Sequence, residues 1–220
     1  IHTDMLRVWK YPCTRCSKQL YKTIKTKKEL NMKKNLLHIT DAQRTFMDKK
    51  GTLYVNGADK IVGPMSNFVA KAKFDKRIVS MDTHYRKTYA KTQESKMFDL
   101  HAEYGTWDWQ LAIQMNVPYV RVLKGQFDVW AKPKKLEAEL VVYTPENTIV
   151  TLCGVASDFC DKDALRGYLV RGYYIIVLTD LCKGIAREME TVVMEEFATE
   201  HASGQLKLQT AAQWLKQNTK

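Results

Sequence analysis

The chain has 220 residues, 45% hydrophobic and 27% charged, the balance of an ordinary water-soluble globular protein. No run of about 18 apolar residues occurs, so no membrane span is expected, and a chain of this length buries a core large enough to fold without staples. The formal charge of +11 is unevenly placed, because residues 1–31 set eight basic side chains against Asp4 and Glu29.

Such an arm attracts nucleic acid or anionic surfaces by releasing counterions. A solvated, poorly ordered tail is the plainer expectation from its composition. The arm ends beside an initiator-like Met32 and reads as an appendage to a domain covering residues 32–220. Lys and Arg occur throughout the first thirty residues, so no signal peptide is expected. Five cysteines, scattered as Cys13, Cys16, Cys153, Cys160 and Cys182, suit a reducing cytoplasm better than a secreted disulfide framework. Cys13-x-x-Cys16 looks like half a zinc knuckle, but no second Cys/His pair follows at finger spacing.

Beyond the arm, short β-branched runs alternate with helical periods. Residues 35–40 predict a strand, and residues 58–74 a helix with Ile61, Met65, Phe68 and Val69 inward. Strands follow at 77–81, 119–123 and 149–153, then a helix at 161–169 and a very apolar strand at 173–178. An amphipathic helix over 186–200, a short strand at 206–208 and a helix over 211–217 close the chain. This order predicts a three-layer α/β/α domain with a mostly parallel, Rossmann-like central sheet. Ligands of such sheets bind beyond the carboxyl ends of the strands. Asp41, Asp82, Lys124 and the segment 154–160 each stand at such an end, and four groups of complementary chemistry on one rim make a candidate site.

Cys160 lies after a strand and a glycine turn, at the start of a helix. The positive end of the helix dipole favours a thiolate there. An ordinary thiol, with a pKa of about 8.5, still needs a cation or a base at neutral pH. Lys124 supplies the charge, and Asp41 can accept the proton and return it to a leaving amine. The backbone N–H groups of Ala156 and Cys160 suit an oxyanion hole. Cys153 and Cys182 read as inert packing.

Gly154-Val-Ala-Ser-Asp-Phe-Cys160 resembles the Gly-Val-Ala-Thr-Asp-Tyr-Cys signature of isochorismatase-like cysteine hydrolases. Asp41-Ala-Gln-Arg-Thr-Phe46 resembles their Asp-x-Gln-Asn-Asp-Phe opening, and Lys124-Gly125 the Lys-Gly after their third strand. The resemblance covers roughly residues 33–215 in the family's order. It implies an Asp41–Lys124–Cys160 triad and a cis peptide at Val155–Ala156. A cysteine at 160 favours acyl transfer over the vinyl-ether cleavage of true isochorismatases, which lack it.

A second set, Asp82-Thr-His84 and Glu94 through His101, offers two imidazoles and two carboxylates to a divalent metal. It resembles the metal segments of nicotinamidases. The resemblance implies Asp82, His84, His101 and Glu94 as ligands of one ion, zinc first and manganese or iron next. It implies Phe46, Phe98, Val155 and Ala156 around the substrate, with Trp107 and Trp130 as further candidate walls. Arg44-Thr45, Asp108 and the segment 126–131 depart from the family pattern.

The expected activity is hydrolysis of nicotinamide to nicotinate and ammonia in NAD salvage, by a cytoplasmic homo-oligomer acting on a small-molecule amide. Two alternatives stand beside it. One is another amide or ureido hydrolase of the superfamily. The other is a catalytically retired scaffold in an RNA-containing assembly, with the arm as the only expected nucleic-acid contact.

Overall fold

The computed structural model describes residues 34–218, so the basic arm and Cys13-x-x-Cys16 lie outside the described residues. Six strands, all paired in parallel, form one sheet in the order β3-β2-β1-β4-β5-β6. They are β1 (Lys34–Thr40), β2 (Lys76–Asp82), β3 (Val120–Lys124), β4 (Thr148–Val155), β5 (Tyr174–Lys183) and β6 (Leu206–Gln209). The helices longer than one turn are α1 (Asp59–Lys71), α2 (Lys134–Leu140), α3 (Lys162–Val170), α4 (Met189–Glu196), α5 (Ala198–Ser203) and α6 (Ala211–Asn218).

Every residue of β1 from Leu36 to Thr40 is buried, as expected for a central strand covered on both faces. Edge strand β3 alternates instead, burying Val122 and Lys124 while exposing Arg121. The two covering layers are knitted by aromatic side chains. Trp214 of α6 stacks on Phe74 at 4.6 Å and meets Phe68 of α1 edge-on at 5.4 Å, and its indole N–H donates to Thr151 on β4. Elsewhere Trp130 meets Tyr168 edge-on at 5.0 Å and lies against Gly167, where a Cβ would fall 1.9 Å from the indole. The expected inward residues of α1 behave as read, with Met65, Phe68 and Val69 buried and Ile61 half-buried.

Strand β5 runs on to Lys183, well past the strand expected at 173–178, and two helical stretches differ from the sequence reading. The helix expected over 186–200 starts only at Met189, because the backbone N–H groups of Ile185, Ala186 and Arg187 are committed to the Asp158 carboxylate. It breaks again at Phe197, whose φ of −134° leaves the helical region while its ring is buried. Helix α2 was not anticipated: its two buried residues, Leu136 and Leu140, span a single i,i+4 repeat, too short for a period to register.

The strand order reverses between β1 and β4. The chain runs outward through β2 and β3, then returns to the other side of β1. The crevice beyond these carboxyl ends is the topological switch point. Register puts Thr40 opposite both Ser80 and Gly154, and Asp82 opposite Lys124, so the ends of β1 to β4 gather on one rim.

Candidate active site

Asp41 leaves β1 with φ +47°, a left-handed conformation that aspartate tolerates better than most residues and that turns the chain sharply off the sheet. Its Oδ1 accepts the Asp82 backbone N–H at 3.0 Å, and its Oδ2 lies 2.8 Å from Lys124 Nζ. The same ammonium donates to the Gln126 carbonyl at 3.1 Å and to Cys160 Sγ at 3.4 Å. The ammonium is thus held by two hydrogen bonds and one ion pair. Removing such an ion from water costs several kcal/mol. Burial works against the charge of Lys124, but Asp41, Cys160 and Asp82 outweigh it and hold its pKa well above the usual lysine range.

Cys160 sits in a π-helical turn, Ser157–Asp161, where the Asp161 N–H reaches back to the Ala156 carbonyl. The turn runs directly into α3. Burial pushes the Cys160 thiol up, and Lys124 offsets this only in part. A resting thiolate, the state the helix-dipole argument favours, is therefore not what this site stabilises. Burial also raises Asp41, to about 6, against the pull of Lys124. At neutral pH the arrangement is a thiol beside an ionised carboxylate, groups that can serve as a nucleophile and its base. The Val155–Ala156 peptide is cis, as the sequence resemblance implied. Gly154, at φ +143°, brings β4 so close to β1 that a Cβ would lie 2.1 Å from the Thr40 carbonyl oxygen.

Next to these groups, Asp82, His84, Glu94 and His101 are all buried and bring one ligand atom each to within 4.8 Å of the others. His84 Nε2 is 2.9 Å from Asp82 Oδ2 and 2.8 Å from Glu94 Oε2; His101 Nε2 is 3.0 and 3.6 Å from the same two atoms. Neither Glu94 oxygen receives a hydrogen bond of normal geometry among the described residues. A buried carboxylate left so, faced by two imidazole nitrogens and a second carboxylate, is a set that fits a divalent transition metal. Burial opposes charge on His84, yet Asp82 and Glu94 hold its pKa up at about 9, a measure of the negative potential gathered there. His101 Nδ1 lies 2.8 Å from the Asp99 carbonyl, the partner that fixes this ring with Nε2 turned to the cluster.

The surroundings contain residues that sequence reasoning missed. The Tyr89 hydroxyl bridges the Phe98 and Asp99 carbonyls and stands 3.2 Å from His101 Nδ1. Asp108, noted only as a departure from the family pattern, accepts the backbone N–H groups of Ala102 and Thr52 and so fastens the His101 loop. Gln43 donates to the Asp82 and Trp109 carbonyls. Only Gln43 carried a signal, since it belongs to the Asp-x-Gln motif.

A narrow cavity joins the two clusters. Cys160, Val155 and Ala156 bound one part, Asp82 and His101 another, and Phe46 and Phe98 also line it. Phe127, Phe159, Leu53, Val55 and Ile185 complete it, and none of these five was anticipated. Trp107 and Trp130 are not walls. Trp107 is exposed beneath the Arg44 guanidinium, and Trp130 is held in the core against α3 with its N–H on the Ala164 carbonyl.

Comparison with known proteins bears on the fold and the family. The isochorismatase domain family model matches residues 35–210. The pyrazinamidase of Pyrococcus horikoshii, solved in complex with zinc, superposes with a TM-score of 0.63 at 22% identity, covering 80% of this chain and 99% of that one. Nicotinamidase/pyrazinamidase of Bacillus subtilis gives 0.63 at 17% over 80% and 98% of the two chains. N-carbamoylsarcosine amidase of Thermoplasma acidophilum gives 0.64 at 18% over 81% and 96%. No curated protein sequence matches. At such identities the structural likeness establishes the fold, whereas the family model covers most of the sequence itself. The chain therefore belongs to the isochorismatase family, with the three-layer fold of the pyrazinamidases and nicotinamidases among its structural neighbours.

Proposed function

We propose that this protein is an amidohydrolase that converts nicotinamide and water to nicotinate and ammonia through a thioester on Cys160. The observation that carries the reading is a narrow cavity bounded by the thiol and by two members of the metal-type cluster, with aromatic and aliphatic walls. A planar heteroaromatic amide fits that lining, with its ring nitrogen toward the cluster and its carboxamide beside Cys160.

Asp41 takes the thiol proton as the sulfur bonds to the carboxamide carbon. The Ala156 and Cys160 amides receive the oxyanion. The C–N bond breaks as Asp41 returns the proton to nitrogen, and ammonia leaves. Asp41 then takes a proton from water, whose oxygen displaces the sulfur to give nicotinate and the free thiol. Lys124 holds both partners in place and keeps Asp41 ionised between steps. Asp82, His84, Glu94 and His101 would hold one metal ion, with zinc first by donor chemistry and manganese or iron next. Bound there, it supplies a Lewis-acid contact for the pyridine nitrogen. In this reading the enzyme serves NAD salvage in the cytoplasm as a homo-oligomer, and residues 1–31 are an appendage.

The test is ammonia release from nicotinamide by purified protein, with metal content measured on the same sample. Turnover that falls with chelation and returns with metal is expected. Faster release from N-carbamoylsarcosine, indifferent to chelator, would assign another amide hydrolysis. No release, with salt-sensitive RNA binding that disappears on deleting residues 1–31, would assign a retired scaffold.

A further inference from the structure

We propose that Asp161 is a positioning residue, a buried carboxyl that ties the turn carrying Cys160 to the strand end carrying Asp41 by sharing a hydrogen bond with Thr40. Asp161 follows the nucleophile and Thr40 precedes the base, so one side-chain contact spans the two halves of the proposed catalytic pair. Both residues are essentially inaccessible, and Asp161 does not line the substrate cavity.

Three contacts clamp Thr40. Its Oγ1 shares a hydrogen bond with Asp161 Oδ1 and donates to the Cys153 carbonyl at 3.3 Å, while Gly154 presses on its backbone. A hydroxyl has one proton to give. If it goes to the Cys153 carbonyl, Asp161 must itself donate, which requires a protonated carboxyl. Burial first, and the Asp41 charge next, push Asp161 well above the ordinary carboxylate range, in keeping with that state. A buried polar side chain with one strong partner is a costly way to fill space. What it adds over an apolar residue is direction: the sulfur is held at a fixed height against Asp41 and Lys124. Acyl transfer is sensitive to displacements on the order of 1 Å at the attacking atom.

The inference rests on Cys160 being the nucleophile of the proposed reaction, but its test does not need the substrate to be nicotinamide. Two readouts are taken on the full-length protein: turnover, and the rate at which iodoacetamide alkylates Cys160, followed by peptide mapping. Asp161→Ala is expected to lower kcat about 10- to 100-fold with KM within about twofold, and to slow alkylation comparably. Asp161→Asn, a neutral isostere able to donate to Thr40, is expected to stay within about threefold of the parent in both. Thr40→Val removes the other half of the contact without a change of shape, so it covers the case in which Asp161→Ala does not fold. It should reproduce the kcat loss. Parental kcat and alkylation in Thr40→Val, or an Asp161→Asn protein as impaired as Asp161→Ala, would overturn the proposal. If nicotinamide is not hydrolysed by any form, slowed alkylation in Asp161→Ala that Asp161→Asn restores still supports it, and only the substrate reading fails.

Discussion

The two clusters that meet in the cavity are built differently. Asp41, Lys124 and Cys160 come from the ends of β1 and β3 and from the turn after β4, so the ladder of the sheet fixes their separation. Of the metal-type donors only Asp82 is on a strand. His84, Glu94 and His101 belong to residues 83–119, a crossover that contains nothing longer than a four-residue helix. That segment is held by side chains: Tyr89 on the His101 loop, Asp108 on Ala102 and Thr52, Gln43 on Asp82 and Trp109. Sheet-borne groups inherit precision from backbone register, whereas loop-borne groups need a dedicated shell of hydrogen bonds.

This contrast can be broken by experiment. Cys160→Ala should cost at least about a thousandfold in turnover while leaving the denaturation midpoint close to the parent's, since the proposed nucleophile is lost without disturbing the sheet. Residual activity near the parent's would remove the thioester route. Glu94→Gln replaces a carboxylate in the loop-borne cluster by a neutral amide. Metal content should fall to near background, measured by elemental analysis, while Cys160 is still alkylated within a few-fold of the parental rate. Loss of both together would show that the clusters are not separable.

Tyr89→Phe tests the supporting shell, and metal affinity should weaken about tenfold by competition with a chromogenic chelator. An unchanged affinity would mean that the His101 loop holds its shape without that hydroxyl. The smallest effect concerns the sheet beneath the triad. Burial, with Lys124 adding to it, lowers the pKa of His38 on β1 from 6.5 to about 3, while its Nδ1 lies 3.0 Å from the Tyr168 hydroxyl. Between those values the unfolded chain binds a proton that the native state does not. Stability should therefore fall as pH drops below about 6.5, by up to about 1.4 kcal/mol per unit from this group, and be unaffected by it above that pH. The urea midpoint of His38→Gln should slope less steeply between pH 6.5 and 5; an identical slope would contradict a buried neutral imidazole.

Most of the strand ladder was legible because β-branched runs of the right length leave few alternatives, and polar residues at four strand ends pointed to one rim. The late start of the helix expected over 186–200 was not legible, because it follows from amides captured by Asp158, some 27 positions earlier. Helix α2 was too short to show a period. The candidate metal donors were named from a motif, but nothing in the spacing singled out Tyr89 or Asp108, whose partners are chosen only by the path of the crossover. The aromatic walls fared similarly. Phe46 and Phe98 were named, Phe127 and Phe159 were not, and the two tryptophans were misplaced, since an aromatic residue carries no mark that tells cavity from core.

By itself the sequence determined which chemical groups are present, the alternation that gives a parallel sheet, and the rim on which strand-end groups must gather. These follow from local periodicity and from the geometry of parallel strands. Tertiary structure alone decided that burial leaves Cys160 a thiol beside a raised Asp41, that Thr40 and Asp161 join across the switch point, and which side chains close the cavity. Solvation and contact depend on neighbours far away along the chain, and those exist only once the sheet has brought them together.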